Sequence, residues 1–244
     1  MLIDARSVTK AFGAFKAVDD ASVSVETGDI LGLIGPNGAG KSTFFNCLTG
    51  DLPVTSGTVI FDGADVTRRP PEARAALGLA RTFQVPLTFE SMSVLDNATI
   101  GALLHHANAR EARAKARDVL QRVGLGAMVD APARSLGTPG RKRLEIARAL
   151  ASEPKVLLLD EAMAGLTPAE VHEAIELVRR IHGGGITIVI VEHIMQVIVS
   201  LAQRVVVFHQ GREISRGTPR EVTSDPKVIE AYLGRRRVRH GADP

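Results

Sequence analysis

The chain has 244 residues, 45% of them hydrophobic, and a formal net charge of +3; that length buries a sizeable core in one domain, or in one domain with an insertion. With no tryptophan, one tyrosine and 4% aromatics, it offers few stacking platforms for nucleic acid, and its longest apolar runs, such as Ile186 to Val191, fall far short of the roughly 20 residues that span a bilayer, so a membrane role would be peripheral. The single cysteine, Cys47, makes no internal disulfide and the N-terminus has no charged-then-apolar signal pattern, which points to a reducing cytosol.

In chain order, Leu2 to Val8 and Ala21 to Glu26 alternate like strands, with Thr27-Gly28-Asp29 as a turn. Ile30 to Ile34 is a short apolar strand that runs into Gly35-Pro36-Asn37-Gly38-Ala39-Gly40-Lys41-Ser42-Thr43, and Phe44 to Leu48 continues as an amphipathic helix. The nine residues fit G-x-x-x-x-G-K-[ST] in the required strand-to-helix context. Glycines let successive backbone N–H groups turn inward on a phosphate, Lys41 reaches the β and γ oxygens, and Ser42 offers a hydroxyl to Mg²⁺. The helix opening at about Lys41 adds its positive end. The implied ligand is a nucleoside triphosphate with Mg²⁺. Thr55-Ser56-Gly57 reads as a turn and Thr58 to Asp62 as a further strand, completing a β-rich lobe.

From about Val94 to Leu150 the texture becomes alanine- and arginine-rich and helical. Arg110-Glu111 to Arg117-Asp118 forms an exposed charged face, and Val119, Leu120 and Val123 a buried one. Strand-helix alternation then returns: Val156 to Asp160, a helix from Pro168 to Ile181, Ile186 to Glu192, and Arg204 to His209. Near-continuous apolar strands imply a parallel α/β sheet. Thr167-Pro168-Ala169-Glu170 spells an N-cap, a proline at the first helical position and a capping-box glutamate, and Gly183-Gly184-Gly185 ends that helix. Much of the positive excess lies in Arg235-Arg236-Arg237 and Arg239, a solvated end or a patch for anionic headgroups or a partner.

The strand Val156 to Leu159 ends in Asp160-Glu161. In phosphoryl transfer, Asp160 would hold Mg²⁺ through water or Ser42, while Glu161 would polarise the attacking water. His193 follows another strand, where open α/β sheets place ligand-facing loops. The order of these motifs, with Gln84 and the Leu144 to Leu150 helix between them, resembles the nucleotide-binding subunit of ABC transporters over nearly the whole chain. The resemblance implies a phosphate-loop cassette: a RecA-like parallel-sheet core (1–90 and 151–234), an antiparallel β lobe and an inserted helical subdomain (about 91–150) carrying a signature, then a basic tail (235–244). It further implies ATP as ligand, Phe12 stacking on adenine with Val18 nearby, Gln84 contacting Mg²⁺ and the attacking water, Glu161 as catalytic base and His193 on the γ-phosphate.

Ala80-Arg81-Thr82-Phe83-Gln84, the Leu144 to Leu150 segment, Ala164-Gly165-Leu166-Thr167-Pro168 and the ending Asp225-Pro226 to Gly234 are similar to the ATP-binding subunits of branched-chain amino-acid importers. Groups handling urea, other amides or lipopolysaccharide share parts of this pattern. The implied partners are transmembrane permease subunits, a solute-binding protein and a second ATP-binding subunit, at the cytoplasmic face of the membrane, with the permease docked near Gln84 to Asn97. No nucleic acid is expected.

Two segments depart from the family pattern. Where the signature usually reads Leu-Ser-Gly-Gly-Gln, this chain has Leu136-Gly137-Thr138-Pro139-Gly140; Pro139 has no N–H and Gly137 no hydroxyl. Thr138 partly restores the hydroxyl. In the D-loop, Ala164 to Thr167, Thr167 stands where Asp or Asn is usual, and Ala162 replaces the proline that commonly follows the glutamate. Such sites are composite between two subunits, so a weakened signature beside intact Lys41, Glu161 and His193 favours a heterodimer over a homodimer. Two alternatives stay open: a soluble, non-transport ABC ATPase, and a low-turnover regulatory ATP-binding subunit.

Overall fold

The computed structural model describes residues 1–233, so the arginine-rich end at Arg235 to Arg239 lies outside the described residues. In chain order the elements are β1 (Ile3–Phe12), β2 (Phe15–Val25), β3 (Ile30–Ile34), α1 (Lys41–Thr49), β4 (Ser56–Phe61), β5 (Ala64–Asp65), α2 (Pro71–Ala76), β6 (Leu79–Arg81), α3 (Val94–Ala102), α4 (Ala109–Arg122), α5 (Thr138–Ala151), β7 (Val156–Asp160), α6 (Pro168–Gly183), β8 (Thr187–Val191), α7 (Met195–Leu201), β9 (Arg204–His209), β10 (Arg212–Gly217), α8 (Pro219–Ser224) and α9 (Pro226–Leu233). They fall into two compact units, residues 1–68 with 190 onward, and residues 69–189.

In the first unit, β2-β1-β4-β5 form the expected antiparallel lobe. Both long strands run further than the alternation indicates: β1 reaches Phe12 and β2 starts at Phe15. Their register shifts between Ala5 and Val8 and again between Val8 and Lys10, and Ser7 and Asp20 adopt left-handed backbone at φ 47 and 55. Bulges of this kind interrupt the two-residue period on which the strand reading depends. Ser56 and Gly57 belong to β4 rather than to a turn.

The other layer of this unit has β3 parallel to β9, with Leu33 opposite Val206, and β10 antiparallel to β9. Every residue of β3 is buried, as a parallel strand covered on both faces requires. Helix α1 buries Phe44, Phe45, Cys47 and Leu48. The Phe44 ring meets that of Phe208 at 5.1 Å and a 56° tilt, an aromatic pair worth about 1 kcal/mol beyond its area. This pairing fixes the helix that follows the phosphate loop.

In the second unit the strand order is β8-β7-β6, with β6 and β7 parallel and Ala80 opposite Leu157. The alanine-rich segment packs as helices. On α4, Ala112, Ala116, Val119 and Leu120 are fully buried at the i, i+4, i+7, i+8 spacing of one apolar stripe. Helix α6 begins with the anticipated capping box: the Glu170 carboxylate accepts the Thr167 N–H at 2.7 Å while Thr167 Oγ1 accepts the Glu170 N–H. Thr167→Ala should therefore cost about 1 kcal/mol, read as a fall in melting temperature of about 2–4 °C.

Candidate active site

The first unit presents the phosphate loop. Gly40 caps α1 with φ 96 and no side chain occupies the cap, which leaves the first-turn amides of the helix facing outward to an anion. Ala39 N–H donates back to Pro36 O at 3.1 Å, and Gly211 N–H donates to Ala39 O at 2.9 Å. The loop is also wedged sterically. A Cβ on Gly35 would stand 2.2 Å from the Phe208 carbonyl oxygen, and one on Gly40 2.3 Å from that of Ala17. The glycines are therefore demanded by neighbouring backbone as well as by phosphate.

Lys41 is 6% exposed, and its Nζ donates to Gly35 O at 2.7 Å and Pro36 O at 3.1 Å. It is thus folded back across the mouth of its own loop. Asn37, Gly38 and Ser42 are exposed and Thr43 is half-buried. Phe12 stands at the tip of the β1–β2 hairpin, 51% exposed, with Lys10 Nζ 5.0 Å over its ring. Val18 is fully buried, so its side chain belongs to the core of the lobe while Phe12 offers the open face. His193 is exposed on the bend between β8 and α7.

The second unit presents the carboxylates. Strand β7 is buried throughout and delivers Asp160, 4% exposed, whose Oδ2 accepts from Arg81 Nη2 at 3.3 Å. The next residue, Glu161, adopts left-handed backbone at φ 45, a conformation costing roughly 1–2 kcal/mol for a residue with a Cβ. That turn directs its carboxylate out of the strand: Gln84 Nε2 donates to Glu161 Oε2 at 2.7 Å. The two side chains, 77 residues apart in sequence, are thus brought into direct contact. Glu161 is held from behind as well, since Lys142 Nζ donates to its carbonyl oxygen at 3.3 Å.

The signature segment opens α5. Gly137 is the N-cap with no side-chain hydrogen bond, and proline occupies the first turn. Leu136 is buried, whereas Gly137 and Thr138 are exposed. Along the D-loop, Ala164 N–H donates to Glu161 O at 3.1 Å, and Gly165 turns the chain at φ 76 so that Leu166 and Thr167 lead into α6.

Residues to which the sequence assigned no site role also shape the second unit's part. Arg81 reaches Asp160 and stacks 4.4 Å from the Phe83 ring centroid. Thr82, 1% exposed, accepts the Asp160 N–H at 3.3 Å. Glu145 and Lys142 project from α5 to the segments bearing Gln84 and Glu161. Arg81, Thr82 and Glu145 carried a sequence signal only as letters of the family-like segments Ala80 to Gln84 and Leu144 to Leu150, and Lys142 only as part of the charge run Arg141-Lys142-Arg143.

Taken unit by unit, the first offers a hydroxyl (Ser42) and the second a carboxylate (Asp160) and an amide oxygen (Gln84), all hard-oxygen donors of the kind Mg²⁺ takes. Among the described residues no group of three or more His, Cys, Asp or Glu could hold a metal. The residues present fit.

A glycine-wedged phosphate loop with a buried lysine, on a strand-to-helix turn beside a parallel strand pair, defines a phosphate-loop nucleotide-binding cassette. The chain belongs to the ABC transporter family of ATP-binding cassettes: the family model "ABC transporter" matches residues 18–164, and "Branched-chain amino acid ATP-binding cassette transporter" matches residues 212–238. It is 34% identical over 249 residues to the high-affinity branched-chain amino acid transport ATP-binding protein LivG of Escherichia coli K12, covering 96% of this chain and 98% of that one. It is 33% identical to BraF, of the same description, from Pseudomonas aeruginosa, again over 96% of this chain and 98% of that one. A nucleotide-free ATP-binding cassette from an ABC transporter superposes with a TM-score of 0.87 at 33% identity, covering 96% and 99% of the two chains. An ADP-bound cassette gives 0.87 at 34%, covering 96% and 98%. The phosphate-loop cassette fold and the transport-coupled ATPase class expected from the sequence are therefore borne out. Neither the soluble, non-transport reading nor the regulatory one gains support.

Proposed function

We propose that this chain is the ATP-hydrolysing subunit of an importer for branched-chain amino acids or related small solutes, seated on permease subunits at the cytoplasmic face of the membrane. The observation that carries the catalytic part is the Gln84–Glu161 pair: a glutamate in left-handed backbone directly after a buried strand, its carboxylate engaged by a glutamine amide at 2.7 Å. Strain at one residue of this kind is typical of catalytic positions.

In this reading the phosphate-loop amides and Lys41 bind the β- and γ-phosphates. Lys41 must exchange its bonds to Gly35 O and Pro36 O for bonds to phosphate. Phe12 stacks on adenine beside the buried Val18. Glu161 accepts the proton of the attacking water, Gln84 orients that water, and His193 donates to the γ-phosphate. Ser42, Gln84 and, through water, Asp160 would hold Mg²⁺, which would supply positive charge to offset the charge developing on the phosphates.

Val85, Leu87 and Phe89 are exposed, at 71%, 53% and 48%, in the stretch read as the docking place of a permease helix. Among the described residues no helix is long and apolar enough to cross a membrane, so the chain needs such a partner to act on transport. Uptake of radiolabelled leucine, isoleucine or valine in a strain lacking this chain tests the reading. Unchanged uptake of all three, with normal uptake of short amides, would refute it.

The altered signature supports a heterodimer in which a second ATP-binding subunit supplies the standard one. Restoring donors with Gly137→Ser and Pro139→Gly together should then raise the ATPase of the isolated chain by about tenfold or more, since one preorganised donor to a transferring phosphoryl group is worth about 10²-fold. Full ATPase activity in the unaltered homodimer, unaffected by those two changes, would count against the heterodimer.

A further inference from the structure

Helix α5 does more than present the signature at its N-terminus. Arg141, Glu145 and Arg148 lie at i, i+4 and i+7, one above the other on a single face, and each reaches the stretch between Phe83 and Glu90, which has no helix or strand of its own. Arg141 Nη1 donates to Glu90 Oε1 at 2.9 Å, and its Nε to Leu136 O at 3.0 Å. Glu145 Oε1 accepts the Phe83 N–H at 3.0 Å and lies 3.5 Å from the Leu87 nitrogen. Arg148 donates to Leu87 O and sits 5.7 Å over the Phe89 ring.

Glu145 is the notable member. It is 3% exposed, and an ionisable group is costly to bury unless it is hydrogen-bonded. Burial raises its carboxyl above the usual range, opposed by the two amides and by Arg148 and Lys142. An apolar residue would fill this position at lower cost, as Leu144 and Ile146 do beside it. What the carboxylate adds is an acceptor for amides that no strand partner reaches. Those amides bracket Gln84: Phe83 directly precedes it and Leu87 lies three residues beyond. One residue after Arg141, Lys142 holds the Glu161 carbonyl at 3.3 Å. Both members of the Gln84–Glu161 pair are therefore tied to the helix that begins at the signature.

We propose that Glu145 is a positioning residue: by bracing Phe83 and Leu87 against α5 it sets the approach of Gln84 to Glu161 and makes a displacement of the signature end of α5 felt at that pair. This rests on the roles of Gln84 and Glu161 given above. ATP binding, which falls to the phosphate loop, is not touched.

The test uses the full-length chain with Glu145→Leu, which keeps a buried side chain of similar bulk but no acceptor, and Glu145→Gln, whose amide oxygen still accepts both N–H groups. Glu145→Leu is expected to lower kcat for MgATP about tenfold, as a small misplacement of a catalytic group does, with KM within twofold of the parent. Glu145→Gln should keep at least half of the parent kcat. Amide hydrogen exchange at Phe83 and Leu87 should quicken in Glu145→Leu alone, with exchange in α6 unchanged. A Glu145→Leu kcat within twofold of the parent, equal loss in Glu145→Gln, or unaltered exchange at Phe83 and Leu87 would each overturn the proposal. Gln84→Ala separates the two ideas. Parent-like turnover there removes the role given to Gln84, while the exchange data still decide whether Glu145 braces the segment.

Discussion

Glu161→Gln is expected to keep ATP binding and to lose hydrolysis by about 10²–10⁴-fold, the range a positioned general base contributes. The substitution isolates proton acceptance because little else changes. Glutamine is nearly isosteric, its amide oxygen still accepts from Gln84 Nε2 at the observed 2.7 Å, and the carbonyl that receives Lys142 is backbone. The left-handed strain at φ 45 is the same for both side chains, so the melting temperature should hold within about 2 °C. Equilibrium binding of a fluorescent ATP analogue and steady-state phosphate release supply the two readouts. Normal phosphate release in Glu161→Gln would remove Glu161 as the base.

The contrast between Glu161 and Gln84 shows what a sequence can carry. Glu161 was legible because it closes an apolar strand next to an aspartate, downstream of a phosphate loop; three local patterns agreed. Gln84 has no local pattern. It lies in a stretch without helix or strand, and its partner comes from 77 residues away, so only family resemblance pointed to it. Glu145 was read merely as one letter of a helical motif, because periodicity marks it as a polar interruption and not as the acceptor of two distant amides.

The same physics separates the elements read well from those missed. β3, β7 and β9 were bounded by the apolar run alone because parallel strands buried on both faces need no alternation. The start of α6 was legible down to the residue, since a capping box and a first-turn proline are short-range chemistry. β10, Arg-Glu-Ile-Ser-Arg-Gly, was not foreseen: it pairs through its backbone along β9, and its side chains carry little apolar signal. β6 has three residues, too few for any period. The β1–β2 ladder was cut short at its bulges, where Ser7 and Asp20 trade regular pairing for left-handed turns.

The phosphate loop itself yields the other large expected effect. Gly40→Ala should lower ATP affinity by about 10²-fold or more, whereas Gly28→Ala should leave it unchanged. Both glycines have positive φ, 96 and 83, so both substitutions incur left-handed strain of about 1–2 kcal/mol. They differ in surroundings. Nothing lies within 4 Å of a Cβ on Gly28, but one on Gly40 meets the Ala17 carbonyl oxygen at 2.3 Å and Gly211 Cα at 3.2 Å. Those are backbone atoms, themselves tied down: Gly211 N–H donates to Ala39 O at 2.9 Å and Gly211 O accepts the Asp19 N–H at 2.8 Å. Relief must come from the loop, which moves the first-turn amides of α1 away from where a phosphate would sit, and a shift of about 1 Å in such a site is worth about 10²-fold. Comparing melting temperature with ATP affinity in the two variants separates common strain from loop displacement. ATP affinity in Gly40→Ala within twofold of the parent would show that the wedge between Ala17 and Gly211 does not shape the cradle.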